Sequence, residues 1–376
     1  MPMFGAPDGF GDTNVSAVSE TTTATSEQGV ADVGTIRAVL EQTICRSADW
    51  LVARIADDGA PQGCDSRNSW WRVPWALALA GRRDAGLALL SWVEREALDG
   101  DADLREGPSR GTIPSSPVYQ LSHLAIGAQL LNRYDLADAL ARRVLHFQDG
   151  DAGGILTYRD GRDRSQDLLL TTQLGIMGLV MGRRGMVEDS YQWIERLWRA
   201  QPALDQMLLY SRWDRNGLVT SFAEAERWMH VVDFTQPRQA YYHPGAAAAF
   251  LADRAMAVGD RSSLAMAREM MALNISGTQE QFSDLASVQI CKFGWGAAQL
   301  LLAEPDGGWL PHALRMARWF IDRQSPDGSW PPATFQLSGP VTDLDRMWKT
   351  AEHLMESCLL HGAIASSAAR SAAQPV

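Results

Sequence analysis

The sequence predicts an all-α fold, an (α/α)6 barrel in which six helical hairpins form a toroid. Three observations predict it: a two-helix pattern that recurs along the chain, a turn of matching chemistry inside each pair, and almost no alternating strand pattern. Open helical solenoids end in polar capping repeats. The final helix here is as apolar as those before it, so the ring is expected to close.

One helix of each pair is made of small apolar residues with little charge, as at 75–80, 124–131, 174–181, 245–251 and 295–302. A helix that is apolar on most faces belongs inside, packed on both sides. Each of these runs stops at a turn: Gly81-Arg82-Arg83-Asp84, Asn132-Arg133-Tyr134-Asp135, Gly182-Arg183-Arg184-Gly185, Gly259-Asp260-Arg261 and Glu304-Pro305-Asp306-Gly307. Gly or Asn after a helix supplies the left-handed residue that ends it. An amphipathic outer helix follows each turn and carries a bulky residue near its end: Trp92, Leu145, Trp193, Met271 and Trp319. The first outer helix is read at 36–56 and the last inner helix at about 343–364.

Residues 1–34, rich in Gly, Ser, Thr and acid, are expected to be a disordered tail, because they cannot bury enough apolar area to offset chain entropy. Residues 35–365 form the barrel domain, and residues 366–376 a flexible C-terminal tail. The 376 residues are 46% hydrophobic, enough for a large core, and carry a net charge of −11. That charge, with no clustered Lys and Arg, argues against a nucleic-acid partner. Four cysteines without CxxC spacing indicate neither a zinc knuckle nor a disulfide framework. No secretory leader and no apolar run of the ~18–20 residues needed for a membrane span are read. The expectation is a cytoplasmic protein whose partner is a small-molecule substrate. With no phosphate-cradling Gly loop, no Gly-x-Ser-x-Gly and no clustered metal ligands, no cofactor or metal is expected.

The sharpest local motif is Trp319-Phe320, then Gln324, Gly328 and Trp330. It resembles the QW repeat of squalene-hopene and oxidosqualene cyclases, with weaker copies at Trp50-Leu51…Gly59 and Leu145…Gln148-Asp149…Gly153-Gly154. The third pair looks like the repeat shared by the wider superfamily of terpene cyclases and protein prenyltransferase β subunits. The resemblance implies the toroid fold, and it implies a structural role for the motif, with Gln satisfying backbone groups and Trp packing over the turn. The chain departs from both relatives. Cyclases that protonate an alkene or epoxide carry a DxDD box, whereas Asp343-Leu344-Asp345 is followed by Arg346. Prenyltransferase β subunits bind zinc through an Asp two residues before a Cys, plus a distant His. Cys291 and His353 match that spacing, but the position two before Cys291 is Gln289.

In an α/α barrel the pocket is lined by the first turns of the inner helices, and these collect the candidate residues. They are Arg67, Trp70 and Trp71; Tyr119 and His123; Asp167; Tyr241, Tyr242 and His243; Lys292 and Trp295; and Asp343, Asp345, Trp348 and His353. An aromatic set with a few acids, bases and imidazoles is the make-up of a small-molecule site. Asp343 and Asp345 read either as helix caps, with Thr342 in a capping box, or as a general acid whose pKa is raised by an apolar pocket. Asp345 and Lys349, four apart, read as a surface ion pair. His243 reads as a base or a packed ring, and His123 and His353 as site or core residues. The tryptophans read as filling or as rings that stabilise a cation, and Arg67 and Lys292 as holders of a carboxylate or phosphate.

The leading functional reading is a cofactor-independent cyclase or isomerase of a hydrophobic, terpenoid or polyketide-like molecule, with Asp343 or Asp345 as acid and His243 assisting. A carbohydrate-active barrel enzyme and a non-catalytic binder of a lipid-like ligand are the rivals.

Overall fold

The structure, a computed structural model, describes residues 18–63, 70–105, 115–333 and 341–373, with side chains from residue 33 onward. Six helices form an outer layer: α1 (Val18–Val52), α3 (Arg83–Trp92), α5 (Tyr134–Leu145), α7 (Arg184–Arg199), α9 (Arg261–Ser276) and α11 (Leu310–Arg323). Six form the inner layer: α2 (Val73–Leu79), α4 (Val118–Leu130), α6 (Leu168–Val180), α8 (Tyr242–Val258), α10 (Cys291–Ala303) and α12 (Asp343–Ala373). Each inner helix packs on the next, and α12 returns to α2, so the ring is closed.

The layers follow from residue type. Outer α7 buries Met186, Val187, Ser190, Tyr191, Trp193, Ile194 and Leu197, a single face at helical spacing. Inner α8 is buried without a break from His243 to Ala252, a stretch dominated by Gly and Ala. Small residues set how closely the inner helices approach: a Cβ on Gly245 would lie 2.3 Å from the Lys292 carbonyl oxygen. Four of the five turns read from sequence hold left-handed residues at the expected places, with φ of 71° at Gly81, 66° at Asn132, 66° at Gly182 and 72° at Gly259; in the fifth the left-handed residue is Gly308, one past the turn as read.

The ring is stapled shut where the last hairpin meets the first. Gln324, just past α11, donates through Nε2 to the Thr43 carbonyl (2.8 Å) and to Ser47 Oγ (2.7 Å) on α1, and to the Gly328 carbonyl (3.1 Å). Its Oε1 accepts from Arg46 Nε at 3.0 Å. Trp330 Nε1 donates to the Phe320 carbonyl at 2.9 Å, which fastens the indole over the same turn. Gly328 has φ of 91° and lies so close to α1 that a Cβ would meet the Arg46 carbonyl oxygen at 2.6 Å.

Two features were not expected from the sequence. Helical backbone runs from Val18 and on to Ala373, into both stretches read as tails; lengthening an anchored helix needs propagation only, without a new nucleus. Residues 1–17 and 374–376 lie outside the described residues. The segment between α7 and α8 also forms short strands, β2 (Leu208–Tyr210), β3 (Arg212–Asp214), β4 (Gly217–Leu218) and β5 (Val231–Asp233). β3 pairs antiparallel with β1 (Gln166–Asp167), immediately before α6, and β2 pairs with β5. This insertion is thereby fixed over the N-terminal end of α6, where the Leu168 amide donates to the Ser211 carbonyl at 3.0 Å.

Replacing Gln324 by Ala strips the α1–α11 seam of its staple, although Ser47 Oγ still donates to the Thr43 carbonyl. A loss of about 2 kcal/mol is expected, read as a lower urea midpoint at an unchanged slope. An unaltered midpoint would refute the ring-closing role.

Candidate active site at the mouth of the toroid

The N-terminal ends of the inner helices surround a cavity of about 160 Å³. Tyr119, Leu169, Tyr242 and Trp348 give it apolar walls, while Arg72, Lys292, Lys349, Glu352, Cys291 and Gln289 give it a polar floor.

That floor is a buried ion network drawn from three hairpins. Glu352 Oε1 accepts from Arg72 Nη2 at 3.0 Å and from Lys292 Nζ at 2.9 Å, and its Oε2 accepts from Lys349 Nζ at 2.5 Å. Glu356, one turn deeper on α12, accepts from Lys292 Nζ at 2.6 Å. All five residues are under 9% exposed. Burial alone would raise the Glu352 pKa, but Arg72, Lys292 and Lys349 outweigh it and hold the carboxyl well below the usual range. Glu356 lacks that company. Burial, with Glu352 nearby, pushes it up. Burial would also depress Lys292, yet the two glutamates hold its ammonium well above the ordinary value.

The aromatic rings are turned toward the protein's own cations. The Arg72 guanidinium lies 4.2 Å from the Trp71 ring centre, 5.1 Å from Tyr119 and 5.3 Å from Trp348. Lys349 Nζ stands 4.1 Å over Trp348. Arg72 Nη2 also donates to the Tyr119 hydroxyl at 3.0 Å, while Arg72 Nε and Nη1 are buried without a partner among the described residues.

His123 lies one turn below Tyr119, enclosed by the rings of Trp71, Trp75 and Tyr119. Its Nδ1 is 2.7 Å from the Tyr119 carbonyl, which only accepts, so Nδ1 carries the proton and Nε2 is bare. Burial, then Arg72 and Lys292, holds this imidazole well below its ordinary pKa. Burial likewise lowers His243 to about 4, and it holds His353 well down, helped by Lys349.

Of the residues expected at the site, Tyr119, Tyr242, Lys292 and Trp348 meet at the cavity, with Trp71, His123 and Trp295 packed behind them. His243 is buried beside Tyr242, the two ring centres 4.5 Å apart. Others are placed differently. Asp343 is exposed, with a side chain 70% accessible, 3.9 Å from Arg346. Asp345 is buried but accepts from the Thr342 amide and hydroxyl, the capping alternative. Lys349 faces inward to Glu352, because its position on α12 points to the ring interior; the surface pair with Asp345 is replaced by a buried one. Trp70 packs edge-on against Trp92 of the outer layer. The Tyr241 hydroxyl donates to the Gln236 carbonyl in the inserted segment. Asp167 caps α6 through the Leu170 amide and pairs with Arg212 at 3.4 Å. His353 points outward into a cage of Trp319, Phe320 and Trp330. Arg67 lies outside the described residues.

Glu352 and Glu356 were not singled out from the sequence. The signal was present: two glutamates four apart on a helix apolar on both sides require cations within reach. Cys291, His353 and Glu356 bring one ligand atom each within 4.8 Å of one another. They fit a resident divalent ion poorly, since Lys292 already holds Glu356 and burial pushes the Cys291 thiol well up.

No protein-family model and no curated protein matches the chain. Solved structures do. A type II terpene cyclase, MstE from Scytonema, aligns with a TM-score of 0.56 at 12% identity over 88% of this chain and 99% of its own. The GH76A α-1,6-mannanase of Salegentibacter sp. aligns at 0.57 with 13% identity over 87% and 99%. A family 76 mannosidase from Bacteroides thetaiotaomicron aligns at 0.58 with 9% identity over 89% and 100%. The chain therefore shares the α/α toroid fold of these proteins, a scaffold common to a terpene cyclase and to glycoside hydrolases.

Two outcomes follow from the electrostatics. Glu352→Gln leaves three buried cations under-compensated and should lower unfolding free energy by about 3–5 kcal/mol, whereas Asp343→Asn should change it by less than about 0.5 kcal/mol. Paired urea titrations read both, and equal effects would show that the network is not what holds the mouth. The second concerns His243, which stays neutral to about pH 4 when folded, against about 6.5 unfolded. Between these values the unfolded chain binds the additional proton, so stability falls as pH drops from about 6.5 to 4. His243→Asn should flatten that slope by about 1.4 kcal/mol per pH unit, measured from urea midpoints across the window; an unchanged slope contradicts it.

Proposed function

We propose that the chain is an enzyme of the cyclase or isomerase type, acting by proton transfer on a small, largely hydrophobic molecule held at the mouth of the toroid. The observation that supports this most is the cavity itself, with aromatic and aliphatic walls over a fixed charge network. An apolar space of ~150 Å³ takes one benzene ring, so this cavity of about 160 Å³ is sized to grip a single ring. Proteins of the same fold act on both chemistries considered: MstE was captured with geranylgeranyl dihydroxybenzoate, and the GH76 relatives are mannan-cleaving enzymes.

The proton donor moves from the aspartates to Tyr119. Its oxygen accepts from Arg72 Nη2, so its own O–H is left to donate into the cavity, and the guanidinium faces the oxygen that gives up the proton. The same oxygen can take a proton back from another atom of the substrate, leaving a product of unchanged mass. Lys349 and Glu352 hold the floor rigid during the transfer. Glycoside hydrolysis needs two working carboxyl groups astride the substrate, ~5–9.5 Å apart. Among the described residues lining this cavity the only carboxyl is Glu352, which is tied to three cations.

The test is incubation of the purified chain with polyprenyl and polyketide-like compounds and with glycosides, read by liquid chromatography and mass spectrometry. A product of equal mass and altered retention is expected, with Tyr119→Phe slower by at least about 100-fold. Two fragments whose masses sum to the substrate plus one water, or full activity in Tyr119→Phe, overturn the reading.

A further inference from the structure

We propose that Arg72, backed by Lys292 and Lys349, is a preformed carboxylate-binding site, and that the ligand of this cavity is a small single-ring carboxylic acid or a longer molecule ending in one. The inference rests on reading this cavity as the substrate site, and it adds the substrate's chemical class.

Charge balance is the first support. Among the described residues, three cations, Arg72, Lys292 and Lys349, face two carboxyls, Glu352 and Glu356, leaving one positive charge over, and more when Glu356 holds its proton. A buried surplus charge is unfavourable until an opposite charge joins it. Orphaned donors are the second. Arg72 is 3% exposed and lines the cavity, yet its Nε and Nη1 have no partner among the described residues. Buried guanidinium N–H groups are nearly always paired, and charge-assisted bonds to a carboxylate are the strongest available to them. The Nη1 amino group can give a carboxylate oxygen such a bond.

Preorganisation is the third. Trp71, Tyr119 and Trp348 pack on the guanidinium, and Tyr119 and Glu352 take Nη2, so the group is desolvated and held before any ligand arrives. The same packing means that these rings already serve a cation of the protein, so the cavity disfavours a cationic ligand. Leu169 and Tyr242 complete the apolar wall for the ligand's ring.

The experiment measures binding to the full-length chain by isothermal titration calorimetry with four probes of one shape: benzoate, benzamide, benzylamine and phenyl phosphate. Benzoate is expected to bind at least tenfold tighter than benzamide, and benzylamine not at all. Arg72→Gln should erase the preference for benzoate over benzamide. The probe series in the native chain stands even where that variant fails to fold. Equal binding of benzoate and benzamide overturns the proposal, and so does tighter binding of benzylamine. Tighter binding of phenyl phosphate overturns the carboxylate assignment in favour of a phosphate ester. Binding and turnover are read separately. Selective benzoate binding without any mass-neutral conversion upholds the site and removes the cyclase reading; conversion without benzoate preference does the reverse.

Discussion

Glu352 is the residue on which the mouth of this toroid depends. Its two oxygens hold Arg72 from the first hairpin, Lys292 from the fifth and Lys349 from its own helix, so one carboxylate joins α2, α10 and α12 at the seam where the ring closes. A buried ion pair adds little net stability, because desolvation consumes most of the attraction, but removing one partner is severe. The network therefore acts mainly on specificity. It favours the one arrangement in which the last inner helix meets the first in the correct register, and Gln324 does the same from the outer layer, with neutral hydrogen bonds to α1.

The same electrostatics set the protonation of the surroundings. Neutral imidazoles at His123 and His353 are what a net-positive, desolvated network demands, since a further cation would be repelled by Arg72, Lys292 and Lys349. The neutral state in turn fixes the His123 tautomer, because its one bond among the described residues is to a carbonyl. Mouth and floor thus differ in kind. The floor is charged and locked, whereas the walls keep hydroxyl protons that can move.

The fold was legible because its signals are local and repeated. Apolar runs alternate with amphipathic ones, and Gly81, Asn132, Gly182 and Gly259 end the inner helices in the left-handed conformation that such residues favour. The Trp319–Trp330 motif announced a packing role, and its hydrogen bonds are structural. The site was half legible. Tyr119, Tyr242, Lys292 and Trp348 lie in first turns, where a reading by position finds them. Glu352 and Glu356 lie two and three turns into α12, where charge is not expected, and Arg72 acquires meaning only from partners far along the chain. Asp343 and Asp345 misled for a physical reason: acids beside a helix start serve its free amides as readily as a substrate.

A shared toroid leaves the chemistry open, and the side chains at its mouth narrow it. Cyclisation through a free carbocation calls for open aromatic faces and a strong acid, whereas the faces of Trp71, Tyr119 and Trp348 are directed at Arg72 and the acid box is incomplete. Hydrolysis of a glycoside calls for a second working carboxyl, and among the described lining residues the cavity offers Glu352 alone. What the mouth does present is a phenol beside a fixed guanidinium, under apolar walls sized for one ring. On the proposed reading, those parts take an anion anchored at Arg72 while a proton passes through Tyr119. In that arrangement the charge that orients the substrate also steadies the oxygen that releases the proton, and binding and catalysis draw on one buried group.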